Sequence, residues 1–453
     1  MAVTTDAPEP RISLWTGRYG SATIGIFALA FMIAFESIAV LTVMPVVVED
    51  LDGLSWFAVA FAAPMATAVV TLTISGWWCD RSGPLAPMLI GVGLFVTGLT
   101  VAGSAVSMPM FLVGRAIQGF GSGLVGVALY VVIARAFPDA LRPRAFAVVT
   151  SAWTLPAIVG PPAAGFVSHQ VGWRWVFLAV PVVAIATVMV LLPALRAAGR
   201  GGSEAPRPQV VTSALVAIGV LGLAIAGQRE ITAWQVLAVA SALLVLVVGP
   251  RLLPPGTWAG QRGLPSAIAT RGLLAAGFFG AEAYFPLSLV EHRGLGTAAS
   301  GAVLTGAALT WFSGAWAAAN VELFASRRVR LLVASSAVTV ASVTVLGSLT
   351  DALPIAVLVV GWAVGGFGMG MGSSTLSLLV LDLSPVEQQG ANSAALQIND
   401  QIVQSTVLAV GSVAFAWLLT VDEPSAYLTV MIGAVLLTLT TFWTQSRIGP
   451  DSP

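Results

Sequence analysis

Lysine is absent from this 453-residue chain, and all 20 basic residues are arginine. We read that gap as codon usage in a GC-rich genome, not as chemistry. Cysteine is nearly absent too: Cys79 stands alone, which excludes an internal disulfide and any cysteine-built metal cluster. His169 and His292 are the only histidines, too few for a zinc or haem site built from imidazoles. Charge itself is scarce. Only 9% of residues are charged, against about 25% in an average soluble domain, so the chain cannot cover itself with the surface a soluble enzyme needs. The 20 acids balance the 20 bases to a net charge of zero. That leaves no spare basic face for nucleic acid. No catalytic residue, metal ligand or cofactor is expected.

What the chain has is apolar sequence, 57% of it. A bilayer-spanning helix needs about 20 such residues in a row. Fourteen stretches qualify, at about 20–48, 56–78, 86–106, 109–134, 145–168, 173–194, 210–227, 232–252, 265–290, 297–320, 330–349, 353–381, 389–418 and 425–445. The first is too long and lacks a cleavage site for a signal peptide, so it is read as a retained helix. The connections are short, which leaves no room for an extramembrane catalytic domain and argues against a polytopic membrane enzyme. Arginine sets the orientation, because cytoplasmic loops keep basic residues. Arg11, Arg18, Arg81, Arg135, Arg142, Arg144, Arg196, Arg200, Arg207, Arg251, Arg262, Arg327, Arg328, Arg330 and Arg447 fall on one side, with Arg271 just inside a span. Arg174, Arg229 and Arg293 fall on the other. Both termini are expected in the cytoplasm.

The chain repeats itself. Residues 114–123 (GRAIQGFGSG) and 361–370 (GWAVGGFGMG) agree at six of ten positions with an offset of 247, which also pairs Pro138 with Pro385. The copies lie in the fourth span of the first six and the fourth of the last six. The expected architecture is therefore an all-α integral membrane fold of two six-helix halves, 20–195 and 265–446. Two extra helices sit in 196–264 as a peripheral pair beside the bundle, and tails cover 1–19 and 447–453. Two such halves around a midplane cavity suit a transporter that rocks between its two faces. Glycines common to both copies read as close helix contacts. Arg115 is not shared, since Trp362 takes its place.

Four ionisable residues stand deep in spans: Glu36, Arg115, Glu282 and Asp400. Each is costly there, on the order of 2.5–3.5 kcal/mol for Arg or Asp at a helix centre, so function is the default reading. Arginine keeps its proton, whereas a carboxylate can release and rebind one. Glu36 is thus read as a proton carrier with Arg115 beside it. Arg115, Gln118 and Ser122 share one face of their helix, as do Ser393, Gln397, Asp400 and Gln404 of another. Phe278, Glu282, Phe285 and Leu289 form an acidic and aromatic stripe, suited to a lipophilic, often cationic ligand. Trp153 and Trp362 are further cavity residues, while most other tryptophans lie near span ends as interfacial anchors.

On these residues the chain resembles the fourteen-helix drug:proton antiporters of the major facilitator superfamily. Phe35-Glu36-Ser37-Ile38-Ala39-Val40 with Val43-Met44-Pro45 is similar to the family's first-helix motif, glutamate replacing aspartate. Gly76-Trp77-Trp78-Cys79-Asp80-Arg81-Ser82-Gly83 matches its cytoplasmic gating motif, with Pro84 and Leu85 at usually basic positions. Arg115, Gln118, Gly119, Gly121 and Gly123 match the motif tied to proton coupling. Gly160-Pro161-Pro162-Ala163-Ala164-Gly165 resembles the antiporter motif, expected to bend or slide at the seam between halves, and Gly172-Trp173-Arg174-Trp175 is typical of the group. The resemblance implies a plasma-membrane exporter, monomeric in function, that trades protons for a small lipophilic compound. Glu36, Arg115, Asp400 and Glu282 would couple protons, and Gly76, Asp80, Arg81 and Gly83 would gate. Export of one lipid or secondary metabolite, or proton-coupled nutrient uptake, are the alternatives.

Overall fold

The computed structural model describes residues 14–15, 17–53, 56–199, 202, 207–226, 232–419 and 421–449. Arg11, Arg200 and Arg229, which entered the orientation argument, lie outside the described residues, as do 1–13 and 450–453 of the tails. Among the described residues every long element is a helix. The first group is α1 (Gly17–Asp50), α2 (Phe57–Ser82), α3 (Leu85–Gly103), α4 (Met108–Ala136), α5 (Arg142–Val171), α6 (Arg174–Leu178) and α7 (Val180–Ala197). Then come α8 (Val210–Ala226) and α9 (Thr232–Val248), and finally α10 (Leu264–Glu291), α11 (Thr297–Asn320), α12 (Arg327–Gly347), α13 (Ile355–Asp382), α14 (Gln389–Leu419) and α15 (Glu423–Ser446). Among the described residues twelve spans are long and apolar enough to cross a membrane, with α6 and α7 together making the sixth. The short apolar α8 and α9 complete the fourteen.

The repeat explains the packing. In the first half α4 lies between α2 and α3; in the second α13 lies between α11 and α12. The shared glycines make both contacts possible. A methyl on Gly119 would collide with the Pro64 carbonyl of α2, and one on Gly366 with the Ala307 carbonyl of α11. Gly121 meets α3 at Phe95, and Gly368 meets α12 at Ala337. Even a hydrogen bond recurs: the Thr67 hydroxyl donates to the Ala116 carbonyl at 2.9 Å, and Thr310 donates to that of Ala363, the residue 247 positions on. These glycines set the helix spacing, so Gly119→Ala or Gly366→Ala should cost about 1–3 kcal/mol through overpacking. Gly93→Ala, which meets nothing within 4 Å, should be neutral. Melting temperatures in detergent would check the contrast.

The inserted pair packs on itself through Gly219 and Gly222, with α8 against α2 and α9 against α14. The segment after α9 is tied down as well. Trp258 Nε1 donates to Asn399 Oδ1 at 3.1 Å, and Asn399 Nδ2 donates to the Ile268 carbonyl at 2.9 Å. At the far end of the first half, Asp50 accepts from Trp173 Nε1 at 3.1 Å and pairs with Arg174 at 3.0 Å. The Gly172–Trp175 run therefore staples the end of α1 to α6, with Gly172 supplying the positive φ of 96° that ends α5.

Candidate functional site

The centre of the first half is an ion pair. Glu36 stands near the middle of α1 and Arg115 two turns into α4, and they are 3% and 4% exposed. Arg115 Nη1 donates to Glu36 Oε1 and also to Gln118 Oε1, the latter at 2.6 Å. Its Nε donates to the Ala60 carbonyl of α2 at 3.1 Å. One guanidinium thus holds a carboxylate, an amide and a backbone carbonyl from three helices. Only arginine's planar fork of donors can reach them together. A pair this dry is stable only while both charges persist. Loss of the Glu36 charge would leave Arg115 uncompensated, so this pair ties together the arrangement of α1, α2 and α4.

A second pair occupies the other half. Arg271 Nε stands 3.2 Å from Asp400 Oδ2, joining α10 to α14, and the two side chains are only 16% and 15% exposed. Sequence reasoning grouped Arg271 with the cytoplasmic arginines and so missed it as a partner. Its place two turns inside a span was the available signal. Glu282, by contrast, makes no ion pair or hydrogen bond among the described residues.

The two halves meet at one end of the bundle, where α2 and α4 finish and α5 and α14 begin. Asp80, at the end of α2, accepts from the backbone N–H of Gly390 at 2.7 Å and of Ala391 at 2.8 Å. These are the first-turn amides of α14, whose dipole favours a negative charge there. Gly76 allows the approach: a methyl on it would sit 2.8 Å from the Gly390 carbonyl. Gly83 carries the turn out of α2 at φ 84°. Further contacts place Gly126 of α4 against Gln397, and Tyr130 against Ser377.

The family model described as Major Facilitator Superfamily matches residues 26–407, most of the chain. The chain belongs to the major facilitator superfamily. Among curated relatives of this facilitator is the multidrug efflux pump SdrM of Staphylococcus aureus (strain N315). It is 25% identical over 332 residues, 71% of this chain and 74% of the relative. The probable multidrug-efflux transporter Rv1634 of Mycobacterium tuberculosis (strain H37Rv) is 25% identical over 402 residues, 84% of each. Solved structures agree on the fold. The human organic anion transporter MFSD10 superposes with a TM-score of 0.67 at 13% identity, covering 94% of this chain and 98% of that one. The proton:xylose symporter XylE gives 0.66 at 13% identity, covering 95% and 96%. The chain is therefore a multi-pass membrane transporter with the two-half facilitator fold.

Several expected site residues of the facilitator stand elsewhere. Phe278, Phe285 and Trp362 do not line a cavity. They are buried at 2%, 0% and 0% exposure, with Phe278 stacked on Trp362 at 4.4 Å and Phe285 beside it at 5.2 Å. The three rings gain contact area by packing together, at the cost of leaving the Trp362 Nε1 donor buried with no hydrogen-bond partner among the described residues. Trp362 thus fills, in the second half, the place that Arg115 holds in the first. Arg81 does not join the contact of Asp80 with α14 either. Its guanidinium lies over the Trp77 ring at 5.7 Å, and it is Arg135 that stands near Asp80, at 3.9 Å. Arg135 was read from sequence only for orientation. In the antiporter motif the nearest atoms to Gly160 belong to Ile38 and Phe35, and those to Gly165 to Thr42, all on α1 of the same half, while α5 also packs across the seam on α11 and α13. Pro161 lies inside an unbroken α5. Small residues there serve the α1–α5 contact, where Glu36 resides. Ser122 donates locally to the Gly119 carbonyl at 3.0 Å, and Gln397 Nε2 to that of Ser393 at 3.4 Å. Gln404 is half-buried and Trp153 is 46% exposed on α5.

Asp80→Asn would lose the charge and keep one acceptor for two amides. Hydrogen bonds to charged groups contribute about 1.5–3 kcal/mol, so the variant should shift the population toward a parted α2 and α14 by about tenfold. Spin-label distances between those helix ends would show it.

Proposed function

We propose that this facilitator is a proton-coupled exporter, an antiporter of the plasma membrane. It takes up protons and expels small lipophilic, in part cationic, compounds by alternating access. The observation that carries the reading is the buried Glu36–Arg115 pair, a carboxylate that can change charge beside a cation that cannot. Efflux pumps among the relatives support the direction of transport. No cofactor is needed, since the proton gradient supplies the energy, and a single chain with two halves is the working unit.

Both termini lie in the cytoplasm on this reading, because the connections rich in arginine are on their side of the bundle. The half-to-half contacts through Asp80, Gly126 and Tyr130 are at that same end. The structure then corresponds to a state closed to the cytoplasm, with Asp80 as the latch. In everted vesicles, a pH gradient imposed across the membrane should drive transport of a fluorescent lipophilic cation, and an ionophore that collapses the gradient should stop it. Transport that persists at full rate without a gradient would contradict the proposal.

A further inference from the structure

Tyr130 and Ser377 are 247 residues apart, the offset of the internal repeat, and they touch each other at 3.4 Å between hydroxyl oxygens. Two positions related by a pseudo-twofold can meet only near its axis. This contact therefore marks the point about which the halves face each other at their closed end. Tyr130 also lies on the polar face of α4 that begins at Arg115, which continues through Gln118, Ser122 and Gly126 at helical spacing. Its ring is held edge-on by Phe146 at 5.1 Å, which leaves the hydroxyl as the part that reaches across.

The direction of the hydrogen bonds follows from counting protons. The Ser377 hydroxyl donates to the Ser373 carbonyl at 2.8 Å, which uses its one hydrogen. It must accept from Tyr130 and from Arg271 Nη1, the latter at 3.0 Å. Arg271 Nη1 also reaches the Ser373 carbonyl at 2.9 Å. The arginine is thereby aimed so that its Nε faces Asp400 Oδ2 at 3.2 Å. That last contact is a charge contact and not an aligned hydrogen bond, and Asp400 Oδ1 is buried with no hydrogen-bond partner among the described residues. Arg271 is the one ionised side chain paired with Asp400 among the described residues of the helices packed on α14. A carboxylate with one oxygen weakly held and the other unclaimed is ready to take a proton once its cation moves.

We propose that Arg271 and Tyr130 are positioning residues for Asp400: Arg271 keeps the carboxylate charged and closed to protons while Tyr130 bears on Ser377, and releases it when the halves part at that end. Asp400 becomes a second protonation site whose availability is set by conformation, one per half with Glu36. This rests on the coupling reading above, but its test does not.

The probe is dicyclohexylcarbodiimide, a lipophilic reagent that adds to a protonated carboxyl and gives a stable N-acylurea. The full-length purified protein is labelled at fixed pH, and each carboxyl is quantified by peptide mass spectrometry. Arg271→Gln should raise modification of Asp400 about tenfold, the effect of one pH unit on protonation. Tyr130→Phe and Ser377→Ala, which keep the packing, should raise it severalfold. Asp80→Asn should do likewise without touching either residue. Modification of Glu36 should stay constant in Tyr130→Phe and Ser377→Ala. Unchanged Asp400 labelling in Tyr130→Phe and Ser377→Ala would overturn the proposal, and so would an equal rise at Glu36, the mark of general loosening. Because labelling needs neither cargo nor gradient, failure here is distinct from failure of antiport, which efflux by Glu36→Gln reads separately.

Discussion

Replacing Glu36 with Gln should reduce pH-gradient-driven efflux to background in everted vesicles, with the variant still inserted and monodisperse. Glutamine keeps the length of the side chain and an oxygen that can accept from Arg115, but it cannot exchange a proton. The helix contacts of α1 are otherwise untouched. Removing the negative charge leaves Arg115 less compensated, and breaking a buried pair costs about 3–5 kcal/mol. Gln118 and the Ala60 carbonyl still accept from the guanidinium, so the loss should fall at or below the low end. Glu36→Asp is the informative companion. It preserves the titrating group but shortens its reach, and should transport more slowly while remaining coupled. Wild-type efflux by Glu36→Gln would remove Glu36 from the coupling step.

The second large effect is expected at Arg115. Arg115→Gln leaves Glu36 buried without its cation, and the Ala60 carbonyl and Gln118 amide without their shared donor. Stability should fall by about 3–5 kcal/mol and transport should be lost. Arg115→Lys keeps the charge but offers a point donor in place of a fork. It should recover part of the stability while efflux stays strongly impaired. The double variant Glu36→Gln with Arg115→Gln should be more stable than the two single losses sum to, by about 1–3 kcal/mol, as expected of groups in direct contact. Thermal melts of the four proteins give that coupling, and vesicle assays give transport. Additive losses would mean that the pair does not act as a unit.

Which features the sequence disclosed follows from how each signal arises. Glu36 and Arg115 were legible because an ionised group at mid-span has no cheap explanation, and the internal repeat separated Arg115 from the glycines around it. Those glycines were legible for the opposite reason, since both copies keep them and both copies use them against equivalent helices. The aromatic stripe of α10 misled because periodicity shows that Phe278, Glu282 and Phe285 share a face without showing what covers it. The covering residue, Trp362, was assigned to the cavity on its own merits, and the two errors are one contact. Arg271 and Arg135 were missed because arginines near span ends were spent on orientation. Their distance from a carboxylate 129 or 55 positions away in sequence is a tertiary fact. In α5 the Gly-Pro motif announced close packing but not the partner: its glycines face α1, while the helix also packs on α11 of the other half.

The mechanism joins these parts. Closure at the end carrying Asp80 is a matter of a charge on a helix terminus, and Tyr130 reports that closure to Arg271. Opening there would free one carboxylate while Glu36 waits on Arg115 in the other half. The central claim is that a titrating carboxylate at Glu36 links cargo to protons. It is tested most directly by proton release from purified protein in weakly buffered detergent solution, on addition of lipophilic cations from a compound panel. Wild-type protein should release protons on binding, and Glu36→Gln should bind the same compounds with that release lost or sharply reduced. Undiminished release from Glu36→Gln, or binding by the wild type with no release at any pH, would contradict the account.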